Sequence, residues 1–311
     1  MKHLERALKG PNQWWKYLVL PVLAFFVANT IGAIPLGIAV VVGTMGGGSL
    51  NPENMSDFTG LGLDPNLGLA LMMFPFIIGL IAFVLVLKPF HNRNIKEVIN
   101  GSKSIRWGRF FYAAGAWALI SGAMLVVDYY MYPGNYEYNL NWSAFIPLIL
   151  ISLLIIPFQT SFEEVLFRGY LAQGVARWTR NRWLVAALPA ILFGLMHMFN
   201  PEVKEYGFWM AMPQYILFGL IFGLMSVLDD GIETAMGAHA ANNIFISIFV
   251  TSKASALQTP AMFVNDHVDP VKDLTVMAVA SVLIVLILAK KYKWNFAILN
   301  QRVEGEKVLE G

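Results

Sequence analysis

The chain has 311 residues, 57% of them hydrophobic and only 14% charged, with a mean hydropathy of +0.58. A soluble globular domain carries roughly 25% charged residues, so composition excludes that class and points to a polytopic membrane protein. Cysteine is absent, which excludes disulfides, zinc–thiolate centres and thiol nucleophiles, and the net charge of +2 matters less than where the charges lie.

A bilayer crossing takes about 20 apolar residues. On that ruler the chain reads as an all-α, polytopic membrane helix bundle of about eight transmembrane helices. They fall at residues 17–43, 67–87, 110–131, 143–162 (continuing toward 176), 183–199, 212–228, 232–250 and 273–289. Residues 1–16 form a basic tail ending in Trp14 and Trp15, which reads as an interfacial anchor. The first apolar run is too long for a cleaved signal peptide, and more spans follow it. Gly46-Gly47-Gly48 opens a flexible external loop, and the basic 88–109 loop reads as a headgroup contact. His91 and His267 sit in predicted loops and read as surface histidines. No repeat or linker divides residues 17–289, which are taken as a single transmembrane domain, with 290–311 a second tail.

The positive-inside rule orients the bundle. Lysine and arginine crowd the N-terminal tail, the 88–109 loop, the turn at Arg177, Arg180 and Arg182, and the C-terminal tail. Apart from Arg168, only Lys204, Lys253 and Lys272 fall elsewhere. The chain is therefore expected in the cytoplasmic (inner) membrane with both termini cytoplasmic. The Asp229, Asp230, Glu233 loop is acidic although it falls on the cytoplasmic side; acidic residues count little in this rule.

The fourth span carries Glu163, Glu164 and Arg168 inside an apolar run, and charges at such depth usually have a partner or a task. Glu164 and Arg168 are at i and i+4 with the acid first, the favourable order for an ion pair. Glu163 points about 100° away and is left free to act as a base. Glu163 lies 17 residues before Arg180 and His197 lies 17 after it, so in an antiparallel hairpin turning at Arg180 the two reach equal depth. His239 and Asn243, again i and i+4, share a face of the seventh span beside Asn242, within the small-residue run Gly237-Ala238-His239-Ala240-Ala241 that permits close helix approach. A Glu and a His at one depth can activate water, and a His with an Asn can stabilise an oxyanion, which is the chemistry of peptide hydrolysis. Neither a Gly-x-Ser-x-Gly elbow nor a His-Glu-x-x-His zinc motif is present. A zinc ion held by Glu163, His197 and His239 is chemically allowed.

At these residues the chain resembles the CPBP family of intramembrane proteases, which includes type II CAAX prenyl endopeptidases and bacteriocin-processing or immunity proteins. Glu163-Glu164-x-x-x-Arg168 is similar to its E-E-x-x-x-R motif, Phe193 to His197 to its F-x-x-x-H, and His239-x-x-x-Asn243 to its H-x-x-x-N, over about residues 143–250. The resemblance implies that Glu163 and His197 activate water, that His239 and Asn243 stabilise the oxyanion, and that Glu164 with Arg168 shapes the site. The resulting expectation is an intramembrane endopeptidase opening toward the cytoplasm, with no cofactor favoured and a metal-independent, glutamate-type mechanism preferred over zinc. Its partners would be the lipid bilayer and a peptide or membrane-protein substrate, with no nucleic acid and no particular oligomeric state. The alternative is a non-proteolytic protein using the same cluster, either a proton-coupled transporter or an immunity or scaffold protein.

Overall fold

Each apolar run becomes a helix, because in lipid a backbone must satisfy its own hydrogen bonds. The computed structural model describes residues 2–52, 54–265 and 267–305. Ten helices make up most of it: α1 (Lys16–Met45), α2 (Pro65–His91), α3 (Ile95–Asn100), α4 (Trp107–Met131), α5 (Trp142–Thr179), α6 (Arg182–Met196), α7 (Pro201–Tyr206), α8 (Phe208–Leu228), α9 (Glu233–Phe249) and α10 (Pro270–Tyr292).

All eight predicted spans are helical. Six of them, α1, α2, α4, α5, α8 and α10, are long and apolar enough to cross a membrane. The other two, α6 and α9, have 15 and 17 residues, about 22–25 Å at 1.5 Å per residue, against a hydrocarbon core of about 30 Å. These two short helices bring in His197, His239 and Asn243.

The hairpin of α5 and α6 is built by local chemistry. Arg180 ends α5 in the left-handed region at φ 56°, and the Asn181 side chain accepts from the N–H groups of Trp183 and Leu184 to start α6. Along α5, Ile146, Leu150, Leu153, Leu154 and Phe158 are exposed as a lipid-facing stripe, while Leu148, Ser152, Ile156, Gln159 and Thr160 are buried. The main apolar core surrounds the charged motif: Phe162, Val165, Leu166 and Phe167 pack with Phe83, Phe110, Trp117, Phe193 and Phe222.

The all-α expectation leaves out one small sheet. Strands β1 (Tyr136–Tyr138), β2 (Val250–Thr251) and β3 (Phe263–Asn265) lie at the end away from the termini, with β3 central, antiparallel to β1 and parallel to β2. Strands of two and three residues are too short to show an alternating pattern.

At the opposite end the tails are folded in. The Lys2 and His3 N–H groups donate to the Asp230 carboxylate at 2.8–2.9 Å, and His3 Nε2 donates to the Arg168 carbonyl at 3.1 Å. Burial lowers the pKa of His3 below its ordinary value even though Asp230 opposes this. The N-terminal segment is thus more than an interfacial anchor, although Trp14 and Trp15 are exposed as that reading requires. The C-terminal tail also returns, its Val303 N–H bonded to the Arg180 carbonyl at 2.9 Å; Lys307 lies outside the described residues.

Two loop readings are corrected here. His91 is buried at the end of α2 and bonds the Tyr170 hydroxyl at 2.7 Å and the Pro11 carbonyl at 2.9 Å; His267 is exposed as expected. The basic loop makes contacts with protein, since Arg106 pairs with Glu233 at 2.5 Å and with Asp229 at 3.3 Å, and Arg109 pairs with Asp229. The acidic loop that the positive-inside rule leaves unexplained is neutralised by these arginines and by the N-terminal amides.

Helix α9 packs closely on α4 and α5, as its small residues predict. A Cβ at Gly237 would collide with the carbonyl oxygen of Phe110, whereas a Cβ at Gly115, also on α4, meets nothing. Gly237→Ala is therefore expected to destabilise the protein by about 1–3 kcal/mol, and Gly115→Ala to have little effect, as read from detergent melting curves of the two variants.

Candidate active site

The two glutamates are the last regular α-helical residues before a π-helical segment, Val165–Leu171, within α5. Such a widened turn frequently accompanies a functional site. The predicted i, i+4 pair forms: Glu164 Oε1 is 2.9 Å from Arg168 Nη1, with both side chains almost completely buried. The guanidinium also lies 4.2 Å over the ring of Phe193 and donates to the Gly219 carbonyl at 3.4 Å. A carboxylate, a carbonyl and an aromatic face together make a fully desolvated arginine tolerable.

The same carboxylate oxygen holds a second cation-capable group. His239 Nδ1 lies 2.7 Å from Glu164 Oε1, and its Nε2 lies 3.6 Å from Glu163 Oε2. With the His239 Nδ1–H donating to this carboxylate oxygen, Nε2 is turned toward Glu163. Phe218 and Phe222 enclose the imidazole at centroid distances of 5.2 and 5.4 Å.

His197 sits just past the end of α6, where its Nδ1 donates to the Phe193 carbonyl at 2.8 Å. Its ring is stacked on Tyr215 at 4.6 Å. A carbonyl cannot donate, so the Nδ1–H tautomer is fixed and Nε2 is left as the acceptor. Asn243 is oriented from both sides, its Nδ2 donating to Gln159 Oε1 and its Oδ1 accepting from Asn242 Nδ2, each at 3.1 Å. Asn242 in turn accepts from Trp117 Nε1 at 3.2 Å.

Glu163, His197, His239 and Asn243 line one cavity of about 630 Å3. Glu163 and His197 share its wall without a direct hydrogen bond, so hairpin symmetry places them together but not in contact. The inter-helix link from Glu164 to His239 at 2.7 Å has no counterpart in the sequence spacing. The cavity leads from these residues toward the end away from the termini, lined by Ser56, Glu202, Ser252 and Val268. Among the described residues no group of three or more His, Cys, Asp or Glu side chains is arranged to hold a metal ion.

Two residues next to the site carry little sequence signal. Gln159 lies one turn before Glu163, and a polar residue in that apolar run was the available clue. Tyr215 comes from α8, and nothing local links it to His197.

Residues 141–245, which include all of Gln159, Glu163, Glu164, Arg168, His197, His239 and Asn243, match the family described as Type II CAAX prenyl endopeptidase Rce1-like. YyaK of Bacillus subtilis (strain 168), described as an uncharacterized protein, is 30% identical over 274 residues, covering 87% of this chain and 89% of its own. The chain belongs to the Rce1-like family. No solved structure matches it. As an Rce1-like protein with six long apolar helices, it is an integral membrane protein of a CAAX-type protease family.

Glu164→Gln removes the partner of a buried arginine and of His239 together. It is expected to cost the Rce1-like fold about 3–5 kcal/mol, while Glu163→Gln, whose side chain faces the cavity, stays within about 1 kcal/mol of the parent. Thermal unfolding in detergent distinguishes the two, and equal melting points would contradict this division between the acids.

Proposed function

We propose that this protein is an intramembrane endopeptidase that hydrolyses a peptide bond with an activated water. The observation that carries the reading is that Glu163, His197, His239 and Asn243 line one cavity, each from a fixed position, inside the interval matching the protease family. Glu163 and the free Nε2 of His197 supply the two acceptors that hold and deprotonate a water. The resulting hydroxide attacks the carbonyl carbon. The proton taken up by Glu163 then passes to the departing amine nitrogen as the tetrahedral intermediate collapses.

The oxyanion needs donors. Asn243 Nδ2 has two hydrogens and gives one to Gln159, which leaves the second available. His239 is the second donor in this scheme: with Nδ1 held by Glu164, it donates through Nε2 in the form that carries protons on both ring nitrogens. Glu164 and Arg168 touch no substrate in this scheme; they position His239. The substrate is taken as a polypeptide, since nothing in the cavity marks a site for the prenyl group in the family's description.

Glu163→Gln is expected to lower cleavage of a validated substrate by about 10²–10⁴-fold with the protein still folded and inserted. Full activity in that variant would end the assignment. Because no metal takes part in the scheme, exhaustive chelation should leave the rate unchanged; a loss restored by added zinc would overturn that part of the mechanism.

A further inference from the structure

We infer that the catalytic cavity opens on the extracytoplasmic face of the membrane and receives an unwound polypeptide segment presented there. The inference takes its peptide substrate from the proposed function, but its geometry is independent of it. The molecule has two distinct ends. At one, Lys2 meets Asp230, Arg106 meets Asp229 and the Val303 amide meets the Arg180 carbonyl. At the other, Asn54 bonds the Lys253 and Ser255 carbonyls at 3.1 Å, and the Ala256 N–H bonds Glu202 at 2.8 Å.

The cavity lining runs from Glu163, His197 and His239 only toward the second end. Along α4 it takes Trp117, Ser121 and Asp128 but nothing nearer the start of that helix, and along α10 it takes Pro270 to Ala280 but nothing beyond. Toward the first end the site is sealed. Arg168, Tyr170, Gln173, His91 and Arg93 are each no more than 1% exposed, and the N-terminal strap closes beneath them through His3.

Charge then assigns the sides. The lysines and arginines of the described residues gather at the sealed end, leaving Lys204, Lys253 and Lys272 at the open one. The sealed end is the cytoplasmic one by the positive-inside rule. The size of the cavity limits what enters it. A helix 10–12 Å across would fill about 630 Å3 within roughly one turn. The occupant is therefore a locally unwound stretch of chain and not an intact helix.

The absence of cysteine makes a direct test possible. Ser121→Cys within the cavity, Ser252→Cys toward its mouth and Lys103→Cys at the sealed end are each exposed to a charged, membrane-impermeant maleimide, in intact cells and in lysed membranes. The expected result is undiminished labelling of Ser121→Cys and Ser252→Cys in intact cells, with Lys103→Cys labelling lost until lysis. Labelling of Ser121→Cys only after lysis overturns the inference, whether or not Ser252→Cys reacts, as does labelling of Lys103→Cys from outside. Because the readout requires no cleavage, a reversed pattern in an active protein sinks this inference alone. The expected pattern in a protein that cleaves nothing sinks the proposed function instead.

Discussion

One carboxylate oxygen holds the centre of this molecule together. Glu164 Oε1 forms an ion pair with Arg168 Nη1 at 2.9 Å and a hydrogen bond with His239 Nδ1 at 2.7 Å, and none of the three side chains has appreciable access to solvent. In a low-dielectric setting each of these charges would be costly alone, and each is tolerable only because the others are in place. Arg168 is steadied by Phe193 and by the Gly219 carbonyl, so the same cluster ties α5 to α6, α8 and α9. The orientation of His239, and with it the direction of Nε2, follows from the position of this one acid.

The fold is arranged to make that cluster rigid below and accessible above. Small residues let α9 approach α4 closely. The two short helices, α6 and α9, carry histidines into a cavity that long, lipid-facing helices enclose. On the side of the termini, a network joining His3, Gln173, Arg93 and the Arg106–Glu233 pair forms a closed floor. A cavity on one side and a sealed polar layer on the other let a polar site sit within an apolar bundle without a continuous path for solvent.

Much of this was legible in the sequence where spacing is local. The Glu164–Arg168 pair follows from i, i+4 geometry, and equal distances from Arg180 bring Glu163 and His197 to one cavity. Long-range pairings were not legible. Nothing in the period of α9 says that His239 faces Glu164, and nothing near Asn243 names Gln159 as its partner. Charge runs misled where they read only as solvated or headgroup-facing: Arg93 is buried, the N-terminal tail is part of the floor, and His91 bonds Tyr170. The direction in which the cavity opens was not legible either, since access depends on loop packing that periodicity does not encode.

Two hydrogen bonds fix the imidazoles of His197 and His239 in one orientation, leaving Nε2 of each turned toward the cavity. The chain has only five histidines, so nitrogen NMR of histidine-labelled protein, assigned by single His→Gln variants, reads the state of each ring directly. The expected spectrum shows a protonated Nδ1 on both, with an unprotonated, acceptor-type Nε2 on His197. An Nε2–H tautomer at His197, or an unprotonated Nδ1 at His239, would contradict it.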